Sequence, residues 1–591
     1  MALESGRAEA RLSAGGCGSS PEAEGDRNSE AQVSEAQVSE AQASEESKVR
    51  TDSKVGAETK VDAEIEVGAE TKVHGETKIS TEKAEMTEKL FIDGDTLSVD
   101  EAYAVAVDGL RVELAPKARE RMLRTRKVVE DIVGRNEVVY GVTTGFGKLS
   151  EVAIPLEKLA ELQVNLIRSH ASGVGDRLPE REVRAMMLLR ANVIAKGYSG
   201  ARPELIDLLL QMLNGDVYPP IPEQGSVGAS GDLAPLAHLG LALIGEGTLI
   251  KGDRETDAAT LLKEIGARPV TLGPKEGITL INGTQAHTGV ALIALVQARS
   301  LWRTAHVAGA MSLEALMGTP VAFDQRIHDA RGQKGQSRSA ALLRDLLAGS
   351  EIRESHRHGD PRVQDPYALR CMPQVHGPVL DALDFIDDAV SRELNAATDN
   401  PLVFENGETL SGGNFHGLTV AMALDFLAIV LTHLATMAER RIDRLVHPDL
   451  NQGLPPFLSP NAGVNSGFMM AQVTAAALAS ECKVLSHPAS VDTIPTDGSK
   501  EDVVPMAMGA AWKARRVLRN LENILAIELM CGAQGIDFRA PLRPGRGVRT
   551  AHERVRDIVP RLEKDRVLSP DIQALMTAVA EQRFADIGSV T

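Results

Sequence analysis

Apolar residues recur at the three- and four-residue spacing of helices over most of the chain beyond residue 150, and strand-like runs are few and short. Stretches rich in glycine and proline interrupt this pattern at 214–232, 268–284 and 453–464. Five segments are long enough to pack as a bundle: 285–317, 377–397, 416–445, 466–487 and 502–530. The pattern therefore predicts a mainly α-helical protein built around a bundle of long helices.

Two helix starts are marked by their own residues. Ser98 and Glu101 form an S-x-x-E capping box before an apolar run. Pro116 stands at a suitable first position for a second helix, which we expect to run to Gly134. Ordered structure should therefore begin near residue 89.

The first 88 residues differ in kind from the rest. The run "SEAQVSEAQVSEAQASE" (29–45) repeats every five residues, and "VGAETKV" occurs at 55–61 and again at 67–73. Neither period places one apolar stripe on a helix, and no heptad is sustained. We predict a disordered acidic low-complexity tail over 1–88, an N-terminal region with a glycine-rich loop over 89–300, and a central and C-terminal helical bundle over 301–591.

Charge and cysteine content limit the partners and the compartment. The formal net charge is -18, which argues against a nucleic acid or an anionic membrane as partner. The four cysteines are widely spaced without a CxxC pair, so neither a disulfide framework nor a zinc ribbon is indicated. No signal-like apolar run opens the chain, and the longest apolar helix candidate, 426–438, is too short for a bilayer. We expect a cytoplasmic protein.

The stretch "QGSVGASGDLAPLAHLG" (224–240) places Gly225, Gly228 and Gly231 around one Ala-Ser pair. A phosphate loop is excluded because it needs a lysine where this chain has Asp232. A serine-hydrolase elbow needs a glycine at that position, and the preceding "VYPPIPEQ" is not strand-like. A loop needed only for packing stays open as an alternative.

A backbone reaction accounts for every residue of this loop. In a tightly bent chain the amide nitrogen of Gly231 can attack the carbonyl carbon of Ala229. Loss of two waters, one of which carries off the Ser230 hydroxyl, leaves a methylidene group on a five-membered ring. The three residues, named here the Ala-Ser-Gly turn, would thus form an electrophile without an external cofactor.

The chain resembles the ammonia-lyase and aminomutase family, whose prosthetic group 4-methylidene-imidazol-5-one (MIO) forms from Ala-Ser-Gly. The resemblance extends from about residue 89 over nearly the whole chain. It implies a fumarase/aspartase-like helical bundle, and a homotetramer whose active sites combine motifs from different subunits. It implies no metal. The motifs that carry it, besides the glycine-rich loop, are "YGVTTGFG" (140–147), "NLIRSHASGVG" (165–175), "LINGTQ" (280–285), "VQDPYALRCMPQVHG" (363–377), "TDNPLVF" (398–404) and "GGNFHG" (412–417).

The resemblance also assigns roles to individual residues. It makes Tyr140, on a mobile loop, the base that removes the β-proton, so the site must lower the pKa of a phenol that ordinarily titrates near 10. It makes Arg370 the partner of the substrate carboxylate, which a planar guanidinium can bind through two hydrogen bonds.

Four further residues match family positions. Asn282 and Tyr367 are expected to orient the amino group and the MIO carbonyl, and Phe415 and Asp232 to help the Ala-Ser-Gly turn cyclise.

The substrate-selecting positions are similar to those of the histidine lyases. His170 follows the "NLI" run, Glu501 stands where the aromatic lyases carry glutamine, and Gln364 adds a third polar group. The resemblance therefore implies release of ammonia from L-histidine to give trans-urocanate. Lys500 and Val503 depart from the histidine-lyase pattern, and Lys500 could partly neutralise Glu501.

Several alternatives stay open. The chain could be a tyrosine or phenylalanine ammonia-lyase or a 2,3-aminomutase, or a scaffolding protein with an inactive core. His356 and His358 lack a third ligand at metal-binding spacing, so a metal site there is not expected.

Overall fold

Helices make up most of residues 89–588, the part of the chain that the computed structural model describes. The tail predicted over 1–88 lies outside these residues, as do 589–591. The prediction of a mainly α-helical protein is confirmed. The helices are α1 (Val99–Tyr103), α2 (Pro116–Gly134), α3 (Leu159–His170), α4 (Glu180–Ala195), α5 (Pro203–Asn214), α6 (Leu233–Leu243), α7 (Ala258–Glu264), α8 (Glu276–Ile281), α9 (Gln285–Ala315), α10 (Gln325–Arg331), α11 (Lys334–Leu346), α12 (Glu351–Ser355), α13 (Tyr367–Arg370), α14 (Met372–Leu394), α15 (Leu418–Val446), α16 (Met469–Leu485), α17 (Ala507–Asp537), α18 (Arg546–Ile558) and α19 (Ser569–Ala580).

The described strands are short and form four two-stranded sheets. They are β1 (Leu90–Ile92) with β2 (Val112–Leu114), β3 (Val174–Arg177) with β4 (Pro222–Gln224), β5 (Thr248–Lys251) with β6 (Arg254–Asp257), and β7 (Leu402–Val403) with β8 (Thr409–Leu410). The first pair is parallel and the others are antiparallel. The expectation that "VYPPIPEQ" contains no strand was wrong, because β4 pairs with β3. Local sequence does not reveal that partner, and proline is tolerated at such a strand end.

The long helices α9, α14, α15, α16 and α17 pack together as the core of the bundle. They correspond to the five predicted segments, with ends that shift by a few residues. Almost every residue of α9 is buried, which explains why its apolar pattern covers most of its circumference rather than one stripe. The predicted division at residue 300 lies within α9, so the two predicted regions share that helix.

Both predicted helix starts are confirmed. Ser98 Oγ accepts from the backbone N–H of Glu101 at 3.2 Å, and the Glu101 carboxylate accepts from the backbone N–H of Ser98 at 2.9 Å. Pro116 is the first residue of α2, which ends at Gly134. The capping box pairs backbone donors that a helix leaves free at its start, whereas proline at the first position simply lacks such a donor.

Helix α15 is longer than its predicted apolar segment. It has 29 residues, and its most apolar window has a mean hydropathy of 2.0. By length and composition it could span a membrane, so the expectation that it is too short was wrong. Alanine and valine residues before residue 426 extend the apolar run. Because 61% of that window is buried and α15 packs on α9, α14, α16 and α17, it has the environment of a core helix.

A buried ion pair joins three of these helices. Arg441 of α15 donates through Nε to Glu528 of α17 at 2.6 Å, and neither side chain is exposed. Ser312 of α9 donates to the same carboxylate at 2.7 Å. The low dielectric of the interior strengthens the attraction between Arg441 and Glu528. Removal of either residue would leave the other as a buried charge without a partner, which would destabilise the fold.

Candidate active site

The glycine-rich loop follows β4 and leads into α6. Gly228 and Gly231 each have φ of +75°, the left-handed conformation that glycine adopts without strain. Gly231 pairs with Gly283, and a Cβ at Gly231 would lie 2.2 Å from the Gly283 carbonyl oxygen. The backbone N–H of Asp232 donates to the same oxygen at 2.8 Å. The turn is therefore pressed against the 282–285 segment, so Gly231 is required there by contact as well as by conformation.

Asn282 reaches the centre of this turn. Its Nδ2 donates to the Ser230 carbonyl oxygen at 2.7 Å, which places a donor on the carbonyl that the predicted ring would keep. Behind it, the fully buried Arg190 donates to the Asn282 carbonyl at 2.9 Å and to the Thr279 carbonyl at 2.7 Å. Burial lowers the pKa of Arg190 to about 10, so the guanidinium stays charged at neutral pH. Sequence reasoning missed Arg190, because nothing in its helix marks this long-range contact.

Glu501 approaches the turn from a distant part of the chain. Ser230 Oγ donates a short hydrogen bond to Glu501 Oε1, and Thr496 Oγ1 donates one to Oε2. The backbone N–H of Thr496 also donates to the Glu501 carbonyl at 2.9 Å. Lys500 is exposed and makes no ion pair within residues 89–588. Lys500, which could have partly neutralised Glu501, forms no ion pair with it, and the carboxylate faces Ser230.

The carboxylate of Asp232 is fully buried behind the turn. Its Oδ1 accepts from Ser226 Oγ at 2.8 Å, and Oδ2 accepts from the backbone N–H groups of Ala286 and His287, each at 2.9 Å. The imidazole of His287 also contacts it. Burial raises the pKa of Asp232, but His287 and the hydrogen bonds together lower it by more than burial raises it. The net pKa therefore lies below the ordinary value of an aspartate. The carboxylate is held ionised at the first turn of α9, where the helix dipole favours an anion.

Tyr140 lies in the loop after α2 and is half-buried. Burial raises the pKa of its phenol, the charges of Asp497 and Glu501 raise it further, and a hydrogen bond with the Gly147 backbone lowers it in part. The net shift is upward, opposite to the lowering expected for a base. The loop is held by the backbone N–H of Lys148, which donates to Asp497 at 3.1 Å. The role of Tyr140 as base stays a prediction.

Three predicted residues make no contact with the turn among the described residues. Gln364 is exposed, Tyr367 is 71% exposed, and the Arg370 guanidinium lies 4.6 Å from the centre of the Tyr367 ring. Within residues 89–588 no hydrogen bond, ion pair or ring contact joins these side chains to the Ala-Ser-Gly turn, and the buried Nε of Arg370 has no partner. The single chain thus brings together Ser230, Asn282 and Glu501 but not this group.

His170 and Phe415 occupy intermediate positions. His170 ends α3, is half-buried, and turns Nδ1 toward the Leu166 carbonyl at 2.8 Å. Phe415 is half-buried and has no ring contact with the turn, although two residues later the N–H of Gly417 donates to the Gly228 carbonyl at 3.0 Å. The segment of Phe415 therefore reaches the glycine-rich loop through its backbone.

Metal-binding groups are not assembled in the described part of the chain. Residues 89–588 contain no cluster of three His, Cys, Asp or Glu side chains able to hold a metal ion. His356 lies 3.0 Å from Asp360, and Cys371, Cys482 and Cys531 are free thiols.

Comparison with known proteins decides the family. A family model described as aromatic amino acid lyase matches residues 97–557. The chain belongs to this aromatic amino acid lyase family. A histidine ammonia-lyase of Anaeromyxobacter sp. (strain K) is 54% identical over 503 residues, which are 84% of this chain and 99% of that protein. The resemblance noted in the sequence is thereby confirmed.

Solved members of the aromatic amino acid lyase family share the fold. The histidine ammonia-lyase from Trypanosoma cruzi is 43% identical with a TM-score of 0.78, covering 84% of this chain and 94% of that one. The tyrosine aminomutase from Streptomyces globisporus is 38% identical with a TM-score of 0.79, covering 84% and 97%. The chain is accordingly a carbon-nitrogen lyase that acts on an amino acid.

Proposed function

We propose that this family member is a histidine ammonia-lyase, which releases ammonia from L-histidine and leaves trans-urocanate. The observation that carries the proposal is the Glu501 carboxylate on Ser230 Oγ, not paired with Lys500. A carboxylate in this position can bind an imidazole, which offers an N–H donor, whereas a phenyl ring would leave the charge without a partner. Several proteins named histidine ammonia-lyase share about half of their aligned residues with this chain, and this similarity supports histidine as the substrate.

We propose MIO, formed from the Ala-Ser-Gly turn, as the prosthetic group. The left-handed Gly231, its close approach to Gly283 and the Asn282 donor on the Ser230 carbonyl all suit a turn that must bend and close. When formed, MIO supplies an electrophile that activates the amino group as a leaving group. The hydrogen bond from Asn282 would draw electron density toward that carbonyl and so strengthen the electrophile.

The remaining steps are assigned to side chains of this chain. Tyr140 removes the β-proton, and Arg370 binds the carboxylate while stacked on Tyr367. Glu501, together with His170 and Gln364, provides polar contacts for the imidazole.

A homotetramer is the proposed assembly. Tyr367 is exposed, and within residues 89–588 the Arg370 guanidinium lacks a charged partner, which suits a group that completes the site of another subunit. Exposed apolar side chains on α14 and α15, including Phe385, Met422 and Phe426, supply area that a neighbour could bury. Sedimentation of a fully active monomer at assay concentration would contradict the tetramer. We place the enzyme in the cytoplasm, where its free thiols are stable.

An aminomutase is the second candidate, because the chain is similar to a tyrosine aminomutase over most of its length. The two activities differ in the fate of the amine. An aminomutase returns it to the β-carbon, whereas a lyase releases it.

The deciding assay offers L-histidine, L-tyrosine and L-phenylalanine separately to the purified full chain. We expect free ammonia and urocanate from histidine, and no β-amino acid. Faster turnover of tyrosine or phenylalanine would overturn the histidine assignment and leave the lyase intact. A β-amino acid as main product would establish the aminomutase instead.

Mass spectrometry tests the prosthetic group separately. The peptide that contains the Ala-Ser-Gly turn should be lighter by two waters, and Ser230→Ala should abolish this loss together with nearly all activity. An unmodified peptide in fully active enzyme would contradict MIO.

A further inference from the structure

His287 is a fully buried histidine in the first turn of α9 that the proposed reaction does not use. Its Nδ1 lies 2.8 Å from Asp232 Oδ2, close but outside the alignment of a regular hydrogen bond. The opposite edge of the ring meets Gly417, where a Cβ would lie 2.6 Å from Cε1 and 2.7 Å from Nε2. The imidazole thus fills the space between Asp232 and Gly417.

These two neighbours hold the two ends of the glycine-rich loop. The N–H of Gly417 donates to the Gly228 carbonyl at 3.0 Å, just before the Ala-Ser-Gly turn. Asp232 follows Gly231 directly and anchors the other side of the turn to Gly283 through its N–H at 2.8 Å. One ring therefore supports both anchor points of the turn.

The polar groups of this histidine have no competing partner. Within residues 89–588, Nε2 of His287 is buried without a hydrogen bond. Buried ring nitrogens are usually satisfied, so a histidine with this arrangement is not explained by packing alone. Nδ1 of the ring lies against the carboxylate beside the turn.

We propose that His287 is a positioning residue for ring closure in the Ala-Ser-Gly turn and acts through Asp232. The inference rests on the proposed MIO. In the closure, the Gly231 nitrogen forms a bond to the Ala229 carbonyl carbon, and that oxygen leaves as water with the hydrogens of the Gly231 and Ser230 amides. A second water takes the Ser230 hydroxyl and the Ser230 α-hydrogen. No oxidant or other reactant is needed.

The effect of His287 on this reaction is geometric. Gly231 must hold its nitrogen against the Ala229 carbonyl, and Asp232, the next residue, controls where that nitrogen lies. Without the imidazole, the carboxylate loses one of its contacts and gains space to move. A displacement of about 1 Å can slow a positioned reaction by about a hundredfold.

The experiment measures the fraction of turn-containing peptide that has lost two waters, in protein purified soon after expression. For His287→Leu we expect that fraction to fall to about a tenth or less, with circular dichroism and oligomeric state unchanged. His287→Asn carries a donor near the position of Nδ1, so most of its turn-containing peptide should still have lost two waters. His287→Gln carries its donor near the position of Nε2 and should not.

A control is available in His552 of α18, which lies 2.7 Å from Asp537 at the end of α17. His552→Leu should leave the turn fully dehydrated. Complete dehydration of the turn in His287→Leu would overturn the role of His287. If the Leu variant fails to fold, equal dehydration in His287→Asn and His287→Gln would overturn it. An unmodified turn in the parent chain would instead overturn the proposed prosthetic group.

Discussion

Ser230 Oγ and Glu501 Oε1 share a short hydrogen bond, although they stand 271 positions apart in the chain. The Ser230 hydroxyl is the group that formation of the methylidene would remove. After its loss, the Glu501 carboxylate would face the Ser230 Cβ. Glu501 is thus placed next to the carbon that would become reactive.

Glu501→Gln should lower kcat/KM for histidine by about ten- to a hundredfold, because a hydrogen bond to a charged group contributes about 1.5–3 kcal/mol. The ratio of histidine to tyrosine turnover should fall with it. Steady-state kinetics with both substrates measure the change. Lys500→Gln, at the exposed neighbour, serves as the control and should stay within about twofold of the parent. An unchanged substrate ratio in Glu501→Gln would remove this carboxylate from substrate recognition.

Gly231→Ala should prevent loss of the two waters, because the new Cβ would lie 2.2 Å from the Gly283 carbonyl oxygen. Gly266 has the same φ of +75° but open space around it. Gly266→Ala should therefore lower the free energy of unfolding by only about 1 kcal/mol and leave the turn dehydrated. Peptide mass and thermal unfolding compare the two variants. Normal dehydration in Gly231→Ala would show that the contact with Gly283 is not restrictive.

Tyr140 should make the rate depend on alkaline pH. A base acts in its deprotonated form, and the pKa of this phenol is raised in the single chain, so kcat/KM should increase with pH until the pH passes that pKa. Tyr140→Phe should remove both most of the activity and this rise. The pH profiles of the parent and variant enzymes give the answer. A variant that keeps the alkaline rise would assign it to another group.

Glu314 should make stability depend on pH near neutrality. It is buried, accepts from the Gly545 N–H at 3.0 Å, and burial raises its pKa to about 7. Because the folded pKa exceeds the unfolded one, its contribution is fully present below about pH 4.5 and is lost as pH rises through about 7, by about 3 kcal/mol. Glu314→Gln should be more stable than the parent at pH 8 in denaturant unfolding. The exposed Glu553→Gln should show no such gain, and a parallel loss in both variants would contradict the assignment.

The buried pair of Arg441 and Glu528 should behave as a unit. Glu528→Gln alone should lower the free energy of unfolding by about 3–5 kcal/mol, because it leaves a buried guanidinium without a counter-charge. The double change Arg441→Met with Glu528→Leu should lower it by less. Urea unfolding of Arg441→Met, Glu528→Leu and the double variant measures the coupling. Additive losses would show that the two charges are independent.

Local patterns were sufficient to predict the long helices and to single out the glycine-rich loop. Ser98 and Glu101 cap α1 with groups that are three residues apart, and the chemistry of an Ala-Ser-Gly turn follows from its own atoms. Arg190 and His287 could not be predicted, because their contacts with Asn282 and Asp232 exist only once α4 and α9 have packed. The direction of the Tyr140 pKa likewise depends on charges from a distant segment.

The contact of Gly231 with Gly283 bears on any attempt to transplant this turn into another protein. Ser230 and Asn282 stand 52 positions apart, so the wall against which the tripeptide bends is a separate piece of chain. A foreign loop given only Ala-Ser-Gly would have the atoms but no surface to enforce their curvature. A transplant would therefore have to include both the segment around Gly231 and the segment around Gly283, with glycine kept at these two contacting positions.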